Sequence, residues 1–169
     1  MPGKNDIVAS GPFLNYINKA QDADVEKSIR QSTKAFKKLL KTIPPKKRKH
    51  AYAEGKWTIK ETLQHLIDAE RVFAYRALRT ARLDATPMPG FDENNWAGVA
   101  NKKDRKWNGL VKEFMIVRAS TELLFENLGD EELLFAGMAS NLPINALALG
   151  YVIAGHTQHH IDIIKERYL

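Results

Sequence analysis

Three of the chain's five histidines, His156, His159 and His160, fall within five residues near its C-terminal end. A neutral imidazole offers one nitrogen lone pair, so clustered histidines are the natural ligands of a divalent ion. On a helix, residues four apart lie about 40° from each other on one face, so His156 and His160 can share an ion. His159 competes for that role, being three residues from His156, and the helix face decides between them. At about 100° per residue from His156, Leu149, Val152, Ile153, Ile163 and Ile164 fall between roughly −40° and +80°. On the same scale His160 falls near +40°, inside this apolar stripe, and His159 near −60°, at its edge. The pair His156 and His160 therefore faces the core, where two imidazoles are costly without partners. A metal ion satisfies them, as would hydrogen bonds between core histidines or a dimer contact.

A catalytic ion takes three protein ligands and keeps a position open. His65 is the natural third residue. It shares a strip with Thr58, Glu61, Thr62, Ala69 and Val72 that flanks the most apolar face of its helix. Taken alone, that position reads as a helix-margin histidine. His50 lies in a basic run and reads as solvated. The chain has no cysteine, which excludes disulfides, thiolate ligands and a cysteine nucleophile.

The elements that must position these residues are helices. Apolar spacing predicts one from about Asp24 to Lys41, stopped by Pro44-Pro45, with a shorter piece at Phe13 to Ala20 before it. A second runs from Thr58 to Leu83, opened by the capping box of Thr58 and Glu61. A third runs from Asp104 to Leu128 before Gly129, and a fourth from Ile144 to Arg167. Between the second and third lies DATPMPGFDENNWAGVANKK, whose composition predicts irregular structure. A connection this long permits a crossover, so that the second and third helices run parallel. A short hairpin fits around Phe135 to Ser140. The fold class expected is all-α, a four-helix bundle with a long crossover between helices 2 and 3, in one domain over residues 1–169.

Composition narrows the function classes. At 169 residues, 44% hydrophobic and 27% charged, the chain suits one globular core. No apolar run reaches the roughly 20 residues needed to span a bilayer, and no signal peptide is evident, so a cytoplasmic location is expected. The net charge is +6, and seven Lys or Arg lie between Lys37 and Lys49. That run straddles two prolines and has no aromatic partners to stack on bases. It reads as a solvated helix end and loop rather than a nucleic-acid patch.

Taken together, YAEGKWTIKETLQHLIDAERVFAYRALRTARLD, the loop ATPMPGFDENNW and the terminal GYVIAGHTQHHIDIIKERYL resemble the DinB-like superfamily of metalloenzymes. The resemblance covers about Tyr52 to Trp96 and Leu147 to Leu169. It implies a four-helix bundle, usually a homodimer, and a three-histidine site for one divalent ion, zinc or nickel foremost. In this chain the three positions are His65, His156 and His160. FAGMAS stands where related chains often carry a more polar, Thr-containing turn, which puts a shared substrate in question.

Three neutral imidazoles leave the charge of a divalent ion undiminished. Such an ion lowers the pKa of a bound water, polarises a carbonyl, or activates the thiolate of a low-molecular-weight thiol. The readings are a metal-dependent hydrolase acting on a small molecule, a metal-dependent thiol S-transferase, and a metal-binding or dimerisation module without turnover. Glu61 and Asp92 are the candidate general bases, although Glu61 also serves as capping-box partner and Asp92 as a ligand of its own loop backbone. Trp57, Phe91, Trp96, Arg76 and His159 are the candidate pocket residues. Arg76, about three turns beyond His65 on nearly the same face, could meet an anionic substrate; a salt bridge is the simpler role.

Overall fold

The structure, a computed structural model, describes residues 2–169. Its helices are α1 (Phe13–Ile17), α2 (Val25–Thr42), α3 (Ile59–Ala81), α4 (Glu93–Ala100), α5 (Trp107–Glu126), α6 (Asp130–Leu134) and α7 (Ala146–Ile163). A hairpin of β1 (Ala136–Ala139) and β2 (Leu142–Asn145) precedes α7, and the chain ends in a π-helical turn, Ile164–Tyr168. Local chemistry sets the helix starts. The Asp24 carboxylate accepts from the Lys27 amide at 2.9 Å, and Thr58 and Glu61 form the reciprocal capping box.

The bundle consists of α2, α3, α5 and α7, with α7 packed on α2 and α3, and α5 on the same two helices. Consecutive helices α2 and α3 are therefore diagonal. Side-chain pairs give the directions. Gln64, Arg71 and Glu70 of α3 meet Arg105, Glu113 and Arg118 on and just before α5, so α3 and α5 run parallel. Arg30, Thr33 and Ser32 meet Glu126, Glu122 and Arg118, so α2 and α5 are antiparallel. The long connection between α3 and α5 is the crossover that this parallel pair requires.

Arg118 lies at the centre, with no exposed surface. Its Nε and Nη2 donate to the two carboxylate oxygens of Glu70 at 2.7 and 2.8 Å. Nη1 donates to the Ser32 and Thr33 hydroxyls at 2.9 and 3.1 Å, and Nη2 to Thr157 at 2.6 Å. One guanidinium thus ties all four helices. This polar layer divides the core in two. One cluster holds Ile29, Phe73, Phe125 and Ile153, with α1 and the hairpin; the other holds Phe36, Leu66, Phe114 and Ile161.

The structure departs from expectation in three places. The crossover is not irregular throughout: Glu93–Ala100 is helical, because Asp92 accepts from the Asn94 and Asn95 amides and Ala97 is buried. The hairpin extends to Asn145, turning on Ser140 and Asn141, both at positive φ (53° and 63°) as a tight two-residue turn requires. The last helix consequently begins at Ala146, capped by Asn145. It is also enclosed rather than striped, being buried on every side from Ala146 to Thr157, while Ile163 of the expected stripe is only half-buried. Gly155 permits this enclosure: a Cβ there would stand 1.7 Å from the Tyr16 carbonyl oxygen. Among the described residues, no helix is long and apolar enough to cross a membrane.

Removing one member of a buried ion pair leaves the other charge uncompensated. Arg118→Met is expected to lower the unfolding free energy by about 3–5 kcal/mol. Adding Glu70→Met should recover much of that loss. Denaturant unfolding of Arg118→Met, Glu70→Met and the double variant checks this; a double variant as unstable as the two single losses summed would contradict it.

Candidate metal centre

The histidines are brought together by the antiparallel packing of α3 on α7. His65 lies two turns into α3, and His156 and His160 lie in the second half of α7. His156 and His160 are buried, and His65 is half-buried. The Nε2 atoms of His65 and His160 each lie 3.1 Å from Nε2 of His156. One ligand atom from each ring falls within 4.8 Å of the other two. The surroundings fix the ring planes. Trp57 tilts over His65 with centroids 4.8 Å apart, and Tyr16 and Phe73 meet His156 edge-on at 5.0 and 5.6 Å. Trp57 is itself held from behind, its carbonyl accepting from the Tyr168 hydroxyl.

Three ring nitrogens facing one another do not satisfy one another. A neutral imidazole nitrogen is either a donor or an acceptor through one lone pair, so Nε2 of His156 makes one good hydrogen bond to its two neighbours. Protonation is no remedy. Burial and the mutual repulsion of the rings hold His156 and His160 well below the ordinary 6.5, and burial draws His65 down to about 4 despite the opposing charge of Glu93. The residues fit a cation: all three lone pairs can turn to one point, and all three rings are neutral near pH 7.

A cavity of about 300 Å³ opens onto the three rings. Of the pocket residues expected from sequence, Trp57, Phe91, Arg76 and His159 line it. His159 is half-buried, edge-on to Tyr16 and His160. Trp96 does not line it. It is 45% exposed, stacks on Phe91 at 4.7 Å, and covers a narrow cleft outside His65. Among the described residues Arg76 meets no carboxylate, contrary to the simpler expectation; it donates to the Pro89 carbonyl and the Ser140 hydroxyl.

Neither carboxylate considered as a base lines the cavity. Asp92 is exposed, and both its oxygens bond to the first turn of α4. Glu61 accepts from the Thr58 amide at 2.7 Å and lines clefts outside this cavity, beside His65 and beside Asp104. The carboxylate that does line it is Glu93, whose charge reaches both His65 and Tyr16. Choosing Glu93 over Asp92 from sequence required seeing that Asp92 is an N-cap, which turns on the unexpected α4. Tyr16 and Ser140 were also missed. They reach the cavity from α1 and from the hairpin turn, elements far from any histidine in sequence.

The depressed histidines make a pH prediction for the metal-free protein. Below about 6.5 the unfolded chain binds protons on these rings that the folded chain does not. Stability therefore falls as pH drops from 6.5 towards 4, and His65→Gln should flatten that slope. Thermal unfolding of chelator-treated protein across this range checks it; identical slopes would contradict it.

Comparison with known proteins agrees with this architecture. YfiT from Bacillus subtilis, described with its structure as a probable metal-dependent hydrolase with an unusual four-helix bundle topology, is 18% identical and superposes with a TM-score of 0.68 over 91% of this chain and 84% of its own. That similarity establishes a shared fold. No curated protein matches the chain. A family model described as the DinB superfamily matches residues 28–164, which takes in α3, α7 and all three histidines, and the chain belongs to that superfamily.

Proposed function

We propose that the chain is a metal-dependent hydrolase of a small molecule, with one divalent ion held by Nε2 of His65, His156 and His160. The observation that carries this reading is the convergence of three neutral, mutually unsatisfied imidazole nitrogens at the floor of an open cavity. YfiT, which shares the fold, is described as a probable metal-dependent hydrolase, and this supports the reading. When bound, a divalent ion supplies positive charge that lowers the pKa of water and polarises a carbonyl.

The chain's own residues supply the rest. Glu93 is the carboxylate placed to take a proton from an attacking water at the mouth of the cavity. The Tyr16 hydroxyl is kept protonated by burial and by the charge of Glu93, so it acts as a hydrogen-bond donor. Phe13, Phe73 and Phe91 exclude water from the walls and give the substrate an apolar surface. His159, three residues from His156, borders the cavity beside Tyr16 and stays outside the ligand set.

Titration of chelator-treated protein with zinc or nickel is expected to give one ion per chain. Alanine at His65, His156 or His160 should weaken binding by more than the roughly 10–100-fold typical of an outer partner. Unchanged affinity in these variants would overturn the metal centre. A panel of esters and amides, with and without added thiol, then tests the reaction. Glu93→Gln should lower kcat about 100-fold or more while leaving metal affinity intact. Turnover that requires the thiol would replace hydrolysis with thiol transfer.

A further inference from the structure

The cavity has a second polar end. Arg76 lies on the same helix as His65, eleven residues and roughly 16 Å of axial rise further on. Both residues line the same cavity, with Ala69 and Phe73 on the wall between them. Arg76 is 2% exposed. Its two hydrogen bonds, to the Pro89 carbonyl at 2.7 Å and the Ser140 hydroxyl at 3.1 Å, both use Nη2, and both acceptors are neutral. Arg118, Arg79 and Arg105 each meet a carboxylate, from Glu70, Asp84 and Glu113. Among the described residues, Arg76 meets none.

A buried cation without a counter-ion is costly, so its retention calls for an explanation. The surrounding fold holds it in place. The crossover pairs with the hairpin at Met88, whose amide donates to the Met138 carbonyl at 2.9 Å and whose carbonyl accepts from the Ser140 amide at 3.0 Å. That pairing brings Pro89 and Ser140 together over the guanidinium, and Phe91 lies 5.8 Å from it. Nε and Nη1 have no acceptor among the described residues, yet neither is sealed away from solvent.

We propose that Arg76 is an anion-recognition point, and that the molecule bound in the cavity is a small organic carboxylate with an apolar middle. Its carboxylate bonds to the guanidinium, its hydrocarbon or aromatic body lies along Ala69, Phe73 and Phe91, and its other end reaches the histidines. The assignment of that other end rests on the metal reading; the anion point itself does not. An oxyanion supplies the charge and the acceptors that Arg76 lacks. With the histidines neutral, Arg76 is the cationic side chain lining the cavity, and it stands apart from Glu93, which faces His65 and Tyr16.

The test uses 3-phenylpropionate and its uncharged amide as probes, with binding followed by calorimetry or NMR on chelator-treated protein, so that no metal competes for the carboxylate. The acid is expected to bind about tenfold or more tightly than the amide, the discrimination of one charged hydrogen-bonded contact. Arg76→Gln should erase that preference and Arg76→Lys should keep part of it. Equal affinity of acid and amide for the wild-type chain, or an unchanged preference in folded Arg76→Gln, would overturn the proposal. The wild-type comparison decides alone if the variant does not fold. Zinc stoichiometry on the same preparations separates the two readings: acid preference without zinc keeps the anion point and removes the metal centre, and zinc without acid preference does the reverse.

Discussion

The guanidinium of Arg118 and the carboxylate of Glu70 are both withdrawn from water, and the fold must close around them on four sides. Isolated, each charge would cost several kcal/mol to bury. Together, with hydroxyls from Ser32, Thr33 and Thr157 completing the guanidinium's donors, they form a satisfied layer that admits little sliding of one helix past another. This layer sets the register of the bundle. Thr157 is next to His156, and Glu70 lies little more than one turn beyond His65. The contacts that fix helix register therefore also bring the three imidazoles together. The positive charge of Arg118 further opposes protonation of His156.

The site is built from opposed electrostatic demands. At one end, three imidazoles are held neutral by burial and by one another, and their lone pairs lack enough donors. At the other, a guanidinium is held charged and buried with neutral acceptors only. Both are unfavourable to folding, and a ligand would relieve each: a cation at the first and an anion at the second. Residues kept in such states commonly mark functional sites. Between them the walls are apolar, and the outer lip carries one carboxylate, Glu93.

Much of this was legible in the sequence, for local reasons. Helices α2, α3 and α5 follow apolar spacing, α7 is marked by its apolar content, and Thr58 with Glu61 announces the start of α3. The i, i+4 relation of His156 and His160 is a property of one helix and needs no tertiary information. What stayed hidden depends on contacts distant in sequence. α4 was read as loop because of the Pro, Gly, Asp and Asn content of the connection that contains it; the capping by Asp92 and the burial of Ala97 against α3 outweigh that composition. Glu93 was passed over as a candidate base for the same reason. The unpaired state of Arg76 was equally unreadable, because it depends on where Pro89 and Ser140 arrive. The position of His65 opposite His156 required the antiparallel contact of α3 and α7. The family resemblance supplied that pairing where periodicity could not.

The most direct measurement is a crystal structure of metal-loaded protein with diffraction recorded on both sides of the ion's absorption edge. The expected result is a single anomalous peak between the three imidazoles, about 2.0–2.1 Å from each Nε2, with the cavity on its open side. A peak elsewhere, or none between His65, His156 and His160 in protein crystallised with excess zinc or nickel, would contradict it.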